Sequence, residues 1–184
     1  MGHVLYADHI DSPIGTILII SDGARLCALD YRGYDHRMNA FLAARYGAYE
    51  LRDAEDPGGA SSAVRAYLGG DMAALDAVAA DPGGTPFQAH VWAELRRIPV
   101  GTTITYGELA QRVGQPTASR AVGHANSLNP VAIVVPCHRV IGADATLTGY
   151  AGGLERKRWL LEHEGVRLRA EPQRRNDAQL ALFG

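Results

Sequence analysis

Cys137 and His138 stand side by side in Val135-Pro136-Cys137-His138-Arg139-Val140-Ile141, directly after the apolar run 133–135. A thiol attacks as thiolate, and a neighbouring imidazole can take its proton directly or through a water. A buried strand leading into such a pair suits a nucleophile. Cys27 is the only other cysteine, so neither a disulfide framework nor a CxxC metal pair competes for Cys137. Adjacency alone is weak evidence, and the surrounding elements must carry the argument.

With 184 residues and 47% apolar content, the chain has room for one large domain or two small ones with a real core. There is no apolar run of membrane-spanning length, and Met1-Gly2-His3-Val4 lacks the zones of a signal peptide. The expected compartment is the cytoplasm, with no membrane partner, and two widely spaced cysteines suit its reducing conditions. The net charge is −2, but residues 1–85 hold 6 Arg against 12 acids, whereas residues 86–169 hold 10 Arg plus Lys against 6. That asymmetry permits a polyanion-binding face in the second part.

Ile17-Leu18-Ile19-Ile20, the turn Ser21-Asp22-Gly23 and Leu26 to Tyr31 read as a hairpin. Met38, Phe41 and Leu42 mark a helix stopped by Gly47. Val64, Tyr67 and Leu68 mark another that ends at Gly69-Gly70. Asp81-Pro82-Gly83-Gly84 reads as a linker. The expected division is an α+β domain over 1–84, a second domain over 85–169 and a flexible tail over 170–184.

Thr85-Pro86 opens a helix with a capping residue and a first-turn proline, and Phe87, Val91, Leu95 and Ile98 form its apolar face. Tyr106, Leu109, Ala110 and Val113 follow helical spacing up to Gly114 and Pro116. Ala118, Ala121, Val122 and Ala125 repeat the pattern. The pair is a helix-turn-helix candidate, or an ordinary helical hairpin with a solvated face. The outward face of the second helix holds Ser119, Arg120, Gly123, His124 and Ser127, small enough for close approach to DNA.

From Phe87 to Gly165 the chain resembles the O6-alkylguanine-DNA alkyltransferases, the methylated-DNA–protein-cysteine methyltransferases. The resemblance rests on Phe87-Gln88 with Val91-Trp92, Ile98-Pro99-Val100-Gly101, Thr105-Tyr106 and Arg120-Ala121-Val122-Gly123. It continues through Asn129-Pro130, Pro136-Cys137-His138-Arg139-Val140, Gly149-Tyr150-Ala151-Gly152-Gly153 and Trp159-Leu160-Leu161-Glu162-His163-Glu164-Gly165. Ser12-Pro13-Ile14-Gly15 looks like the family's more variable N-terminal domain. The resemblance implies an α+β chain, with a ribonuclease H-like α/β domain followed by a mainly helical, winged-helix-like domain with a helix-turn-helix.

It also implies direct, irreversible alkyl transfer from O6-alkylguanine in double-stranded DNA to Cys137, once per molecule and without a cofactor. O4-alkylthymine is left as a second candidate substrate. His138 would take the thiol proton and Glu164 would orient the imidazole. Asn129 would tie the recognition helix to the cysteine segment, although Asn-Pro is also a common turn pair. Tyr106 would donate to the guanine ring nitrogen, although its spacing fits a core residue too. Arg120 would fill the stack after base flipping, and Ser119, Ala121, Gly123 and His124 would face the minor groove. The carbonyls of Cys137 and Val140, the amide of Ala151 and the ring of Tyr150 would complete the pocket.

Two departures stand out. Some members carry a structural zinc in the N-terminal domain, but residues 20–24 contain no cysteine here and no metal is expected. His124 occupies a place that is usually smaller. Competing readings are a non-catalytic alkyltransferase-like lesion binder, which lacks the cysteine; a turning-over cysteine hydrolase, which needs no Arg120; and a regulator reading the major groove, for which this face lacks the usual polar side chains. At the end of the chain, Gln179-Leu180-Ala181-Leu182-Phe183 resembles the bacterial sliding-clamp-binding peptide, with Gln179, Leu180, Leu182 and Phe183 as anchors and Ala181 at a position usually Ser or Asp. The alternative is a tail that packs on its own domain.

Overall fold

A computed structural model describes residues 2–168; the segment 179–183 lies outside them. Ile17–Ser21 (β2) and Leu26–Tyr31 (β3) form the expected antiparallel hairpin, and the Asp22 side chain accepts from the amides of Ala24 and Arg25 in its turn. Two strands not read from the sequence extend it. His3–Ile10 (β1) lies antiparallel to β2 and parallel to Tyr49–Asp53 (β4), giving the order β3-β2-β1-β4. β4 is an exposed edge strand with no apolar run to announce it.

Asp35–Tyr46 (α1) packs Met38 and Leu42 against one face of the sheet, with Leu18 and Ile20. Ile17 and Ile19 point to the other face, into a core shared with Trp92, Leu95, Val135 and Leu160. Both faces are covered, which explains why residues 17–20 of β2 are all apolar instead of alternating. Ala60–Leu68 (α2) contributes Val64 and Tyr67 to the same shared core.

The outer edge of β3 is sealed by chain from elsewhere. The Leu26 amide donates to Ala79 O, and the Asp81 amide to Leu26 O. The Leu29 amide donates to Pro130 O, and the Ala132 amide to Leu29 O. The segment leading to Cys137 is thus hydrogen-bonded onto the N-terminal sheet.

Pro86–Arg96 (α3) starts where expected, at a capping box in which Thr85 and Gln88 satisfy each other's backbone amides. A second box, Thr105 with Glu108, starts Tyr106–Arg112 (α4); it was not singled out from the sequence. Ser119–Ser127 (α5) completes the helix-turn-helix, and Trp92 Nε1 donates to Ala125 O at 2.9 Å to tie α3 to α5. The apolar reading of Ala121 is corrected: Ala121 is exposed, while Val122, Ala125 and Asn126 face inward. Ile104–Thr105 (β5) pairs in parallel with Val140–Ile141 (β6), and Leu154–His163 (α6) closes the domain. Among the described residues no helix is long and apolar enough to cross a membrane.

Candidate active site

Short-range geometry brings the chemistry together. Tyr106 opens α4 directly after β5, which pairs in parallel with β6, and its side chain lies near enough to Cys137 to feel its charge. The turn that precedes β6 is a single 3-10 turn, Cys137–Arg139, whose three residues are all buried. Upstream, buried Ile133 adopts φ 70°, a left-handed conformation costly for a β-branched residue. Asn129 braces this stretch: its Nδ2 donates to Val135 O at 2.8 Å and its Oδ1 accepts from the Val131 amide at 3.0 Å. These bonds join the residue two past the end of α5 to the stretch that leads into the cysteine.

Glu164 caps α6, and Gly165, with φ 84°, turns the chain away after it. The carboxylate is buried and heavily bonded. His138 Nε2 lies 2.9 Å from Oε1, and Arg139 reaches both oxygens through Nε and Nη2 at 2.9 Å each. These partners hold the Glu164 carboxyl far below the ordinary range, outweighing the opposing effect of burial. An ionised carboxylate only accepts, so Nε2 carries the imidazole proton. His138 Nδ1 makes no hydrogen bond to the protein and keeps its lone pair.

Burial pushes the Cys137 thiol up, opposed by the Asn129 amide and the Lys157 charge. Burial likewise pushes His138 down, opposed by Glu164. Both shifts favour the neutral thiol and the neutral imidazole at rest. Burial also pushes the Tyr106 hydroxyl up, so it stays a donor; it approaches Gly149 O at 3.3 Å and Thr148 O at 3.5 Å.

The remaining wall residues converge on loop 148–152. The Tyr150 hydroxyl meets the Tyr31 hydroxyl at 2.8 Å, and Ala151 O accepts from Arg37 Nη1 at 3.0 Å, both contacts from the N-terminal part. Val140 O accepts from Lys157 Nζ at 2.6 Å, which leaves one lone pair of that carbonyl for another donor. On α5, Arg120, Ala121 and His124 are exposed and Ser119 is partly so. Gly123 lies under the Tyr106 ring, where an added Cβ would sit 3.5 Å from it.

Comparison with known proteins decides the family. Residues 5–82 match the ribonuclease-like domain of 6-O-methylguanine DNA methyltransferase, and residues 86–166 match its DNA binding domain. The chain belongs to the methylated-DNA–protein-cysteine methyltransferases. The relative of that name from Shigella flexneri is 47% identical over 167 residues, 89% of this chain and 98% of its own length. The relative from Mycobacterium tuberculosis is 47% identical over 165 residues, 88% and 93% of the two chains. The crystal structure of the M. tuberculosis O6-methylguanine methyltransferase superposes with TM-score 0.70 at 40% identity, covering 91% of this chain and 96% of that one. The same M. tuberculosis protein in complex with DNA aligns with TM-score 0.70 at 41% identity, over 88% and 92% of the two chains.

Against this methyltransferase frame, three buried polar residues near the site were not singled out from sequence. Arg139 sits inside the cysteine motif, and its guanidinium grips Glu164. Lys157, fully buried, donates to Val140 O and Thr148 O at 2.6 Å each, and burial holds its ammonium down at about 8. Tyr67 was read as an apolar stripe residue, and its hydroxyl reaches Glu164. Residue type assigns Arg and Lys to solvent, so no local signal separates these from surface cations.

Proposed function

We propose that this protein repairs DNA by moving the alkyl group of O6-alkylguanine onto Cys137 Sγ, one group per molecule. The observation that carries the reading is the buried Cys137 turn, backed by a His138–Glu164 pair whose Nδ1 lone pair is free of protein donors. His138 takes the thiol proton, directly or through one water. The thiolate attacks the alkyl carbon; the carbon–sulfur bond forms, the carbon–oxygen bond breaks, and its electron pair goes to the guanine. Tyr106 donates to a ring nitrogen as that charge develops. The base takes up one proton, the imidazole returns to neutral, and the thioether stays on the protein. Membership of the family, together with the cysteine itself, disfavours a lesion binder without transfer.

Residues 85–169 carry the reaction and residues 1–84 support it. Two free cysteines in the described residues suit a cytoplasmic protein. Intact mass after mixing with an oligonucleotide carrying O6-methylguanine tests the reading: one CH2 gained per chain, mapped to Cys137, is expected, and an unmodified chain overturns it.

A buried thiol reaches the lesion only after the base leaves the stack, and Arg120, exposed on α5, fills the space left behind. Arg120→Ala should slow repair of duplex at least about tenfold more than reaction with the free base, since unstacking costs a few kcal/mol. Equal slowing in a paired stopped assay would show a pocket defect instead. Binding should also weaken with salt as phosphate contacts release counterions.

The chain's last residues support a second contact, with Gln179, Leu180, Leu182 and Phe183 anchoring the protein to the sliding clamp of replicating DNA. Deleting residues 179–184 should abolish binding in a titration with the host's clamp. Unchanged affinity after deletion, or no binding by the intact chain, defeats the idea.

A further inference from the structure

The Glu164 carboxylate receives one hydrogen bond from outside the catalytic domain. Tyr67, fully buried on α2 of the N-terminal part, donates its hydroxyl to Oε1 at 2.8 Å. The same oxygen faces His138 Nε2 at 2.9 Å and Arg139 Nη2 at 2.9 Å. Three donors thus crowd onto one oxygen, and each draws on the same charge.

Tyr67 is held there from its other side. Its carbonyl accepts from His163 Nε2 at 2.8 Å, and its ring meets the His163 ring edge-on with centroids 5.2 Å apart. Trp159 in turn stacks on the His163 ring, with centroids 4.7 Å apart. The hydroxyl is therefore delivered by a fixed ring and not by a mobile side chain.

We propose that Tyr67 is a positioning residue for alkyl transfer: its hydroxyl, supplied by the N-terminal domain, shares Glu164 with His138 and limits how much carboxylate charge reaches the imidazole. The inference rests on the reading of Cys137, His138 and Glu164 as the transferring relay. Burial and the adjacent Glu164 keep the Tyr67 phenol protonated far above its ordinary range, so it donates throughout the working pH. The other charged or titratable groups facing the relay are Arg139 and Cys137 in the 3-10 turn, Lys157 and His163 on α6, and Tyr31 on β3. Arg139 is a permanent cation, whereas the Tyr67 hydroxyl can be removed without changing charge or much volume.

Tyr67→Phe frees charge for His138 and makes the imidazole more basic. The acid limb of the single-turnover pH–rate profile should move up by about half a unit to one unit, a shift typical of one hydrogen bond to a carboxylate partner. Replacing Tyr67 with 3,5-difluorotyrosine, a stronger donor of nearly the same shape, should move the limb down. Heteronuclear NMR of the His138 ring reads the same shifts in the folded protein, so a variant of reduced stability still gives an answer. A merely structural role would lower the rate equally at every pH and leave the His138 titration in place, which overturns the proposal. Wild-type protein that gains no alkyl group on Cys137 refutes the reading of the relay instead, and the NMR titration stands apart from that outcome.

Discussion

Cys137→Ser is expected to abolish alkyl transfer, with a loss on the order of 10⁶-fold, as for removal of the nucleophile from other relays. A serine hydroxyl at this position keeps the shape of the turn but offers His138 a far weaker acid and the lesion a far poorer nucleophile. DNA binding should survive, because Cys137 is only 6% exposed and lies outside the exposed face of α5. The measurement is transfer of a labelled methyl group from duplex DNA, run beside a binding titration. Label on the serine variant would show that another side chain accepts the group. Cys27→Ala should transfer like wild type, since Cys27 lies buried in β3 and burial pushes its thiol up.

Glu164→Gln should harm both rate and stability. The amide keeps the volume but removes the charge that steadies an imidazolium, and transfer should fall by about 10⁴-fold, the usual cost of losing the third member of such a relay. Arg139, 6% exposed, then loses its counterion, which should cost about 3–5 kcal/mol of stability. The pH dependence follows from the depressed Glu164 carboxyl. Its stabilising contribution is full above the unfolded value of about 4.3 and is lost as pH falls toward the folded one. Urea melts of the two proteins should therefore differ most at neutral pH and converge in acid. A constant gap down to strongly acid pH would contradict the ionised Glu164.

Local pattern made much of the second domain legible. Thr85 and Pro86 start α3 because capping chemistry depends on residues a turn apart, and the two motifs singled out His138 and Glu164, whose Nε2 and Oε1 the fold places 2.9 Å apart. Asn129 hydrogen-bonds Val135 O, six residues on and two before the cysteine. Long-range geometry was not legible. Tyr67 and Glu164 are 97 positions apart, and helical spacing marks the tyrosine ring as core without saying where the hydroxyl points. Lys157 and Arg139 look like surface cations until the carbonyls and carboxylate around them are seen. β4, with four of its five residues exposed, carries no apolar alternation, and Ala121 sits at a helical spacing that its outward direction contradicts.

The strip at 130–132 that seals β3 gives the two parts a shared ancestry of constraint. A chain cut between residues 84 and 85 would leave the N-terminal piece with an open strand edge at Leu29, whose unpaired amide and carbonyl are a template for another copy. Such a fragment should self-associate by strand exchange unless something replaces the strip. A lineage that trims or trades its N-terminal half must therefore redesign the approach to the cysteine at the same time, because one stretch of backbone serves as both the lead-in to the nucleophile and the border of the sheet.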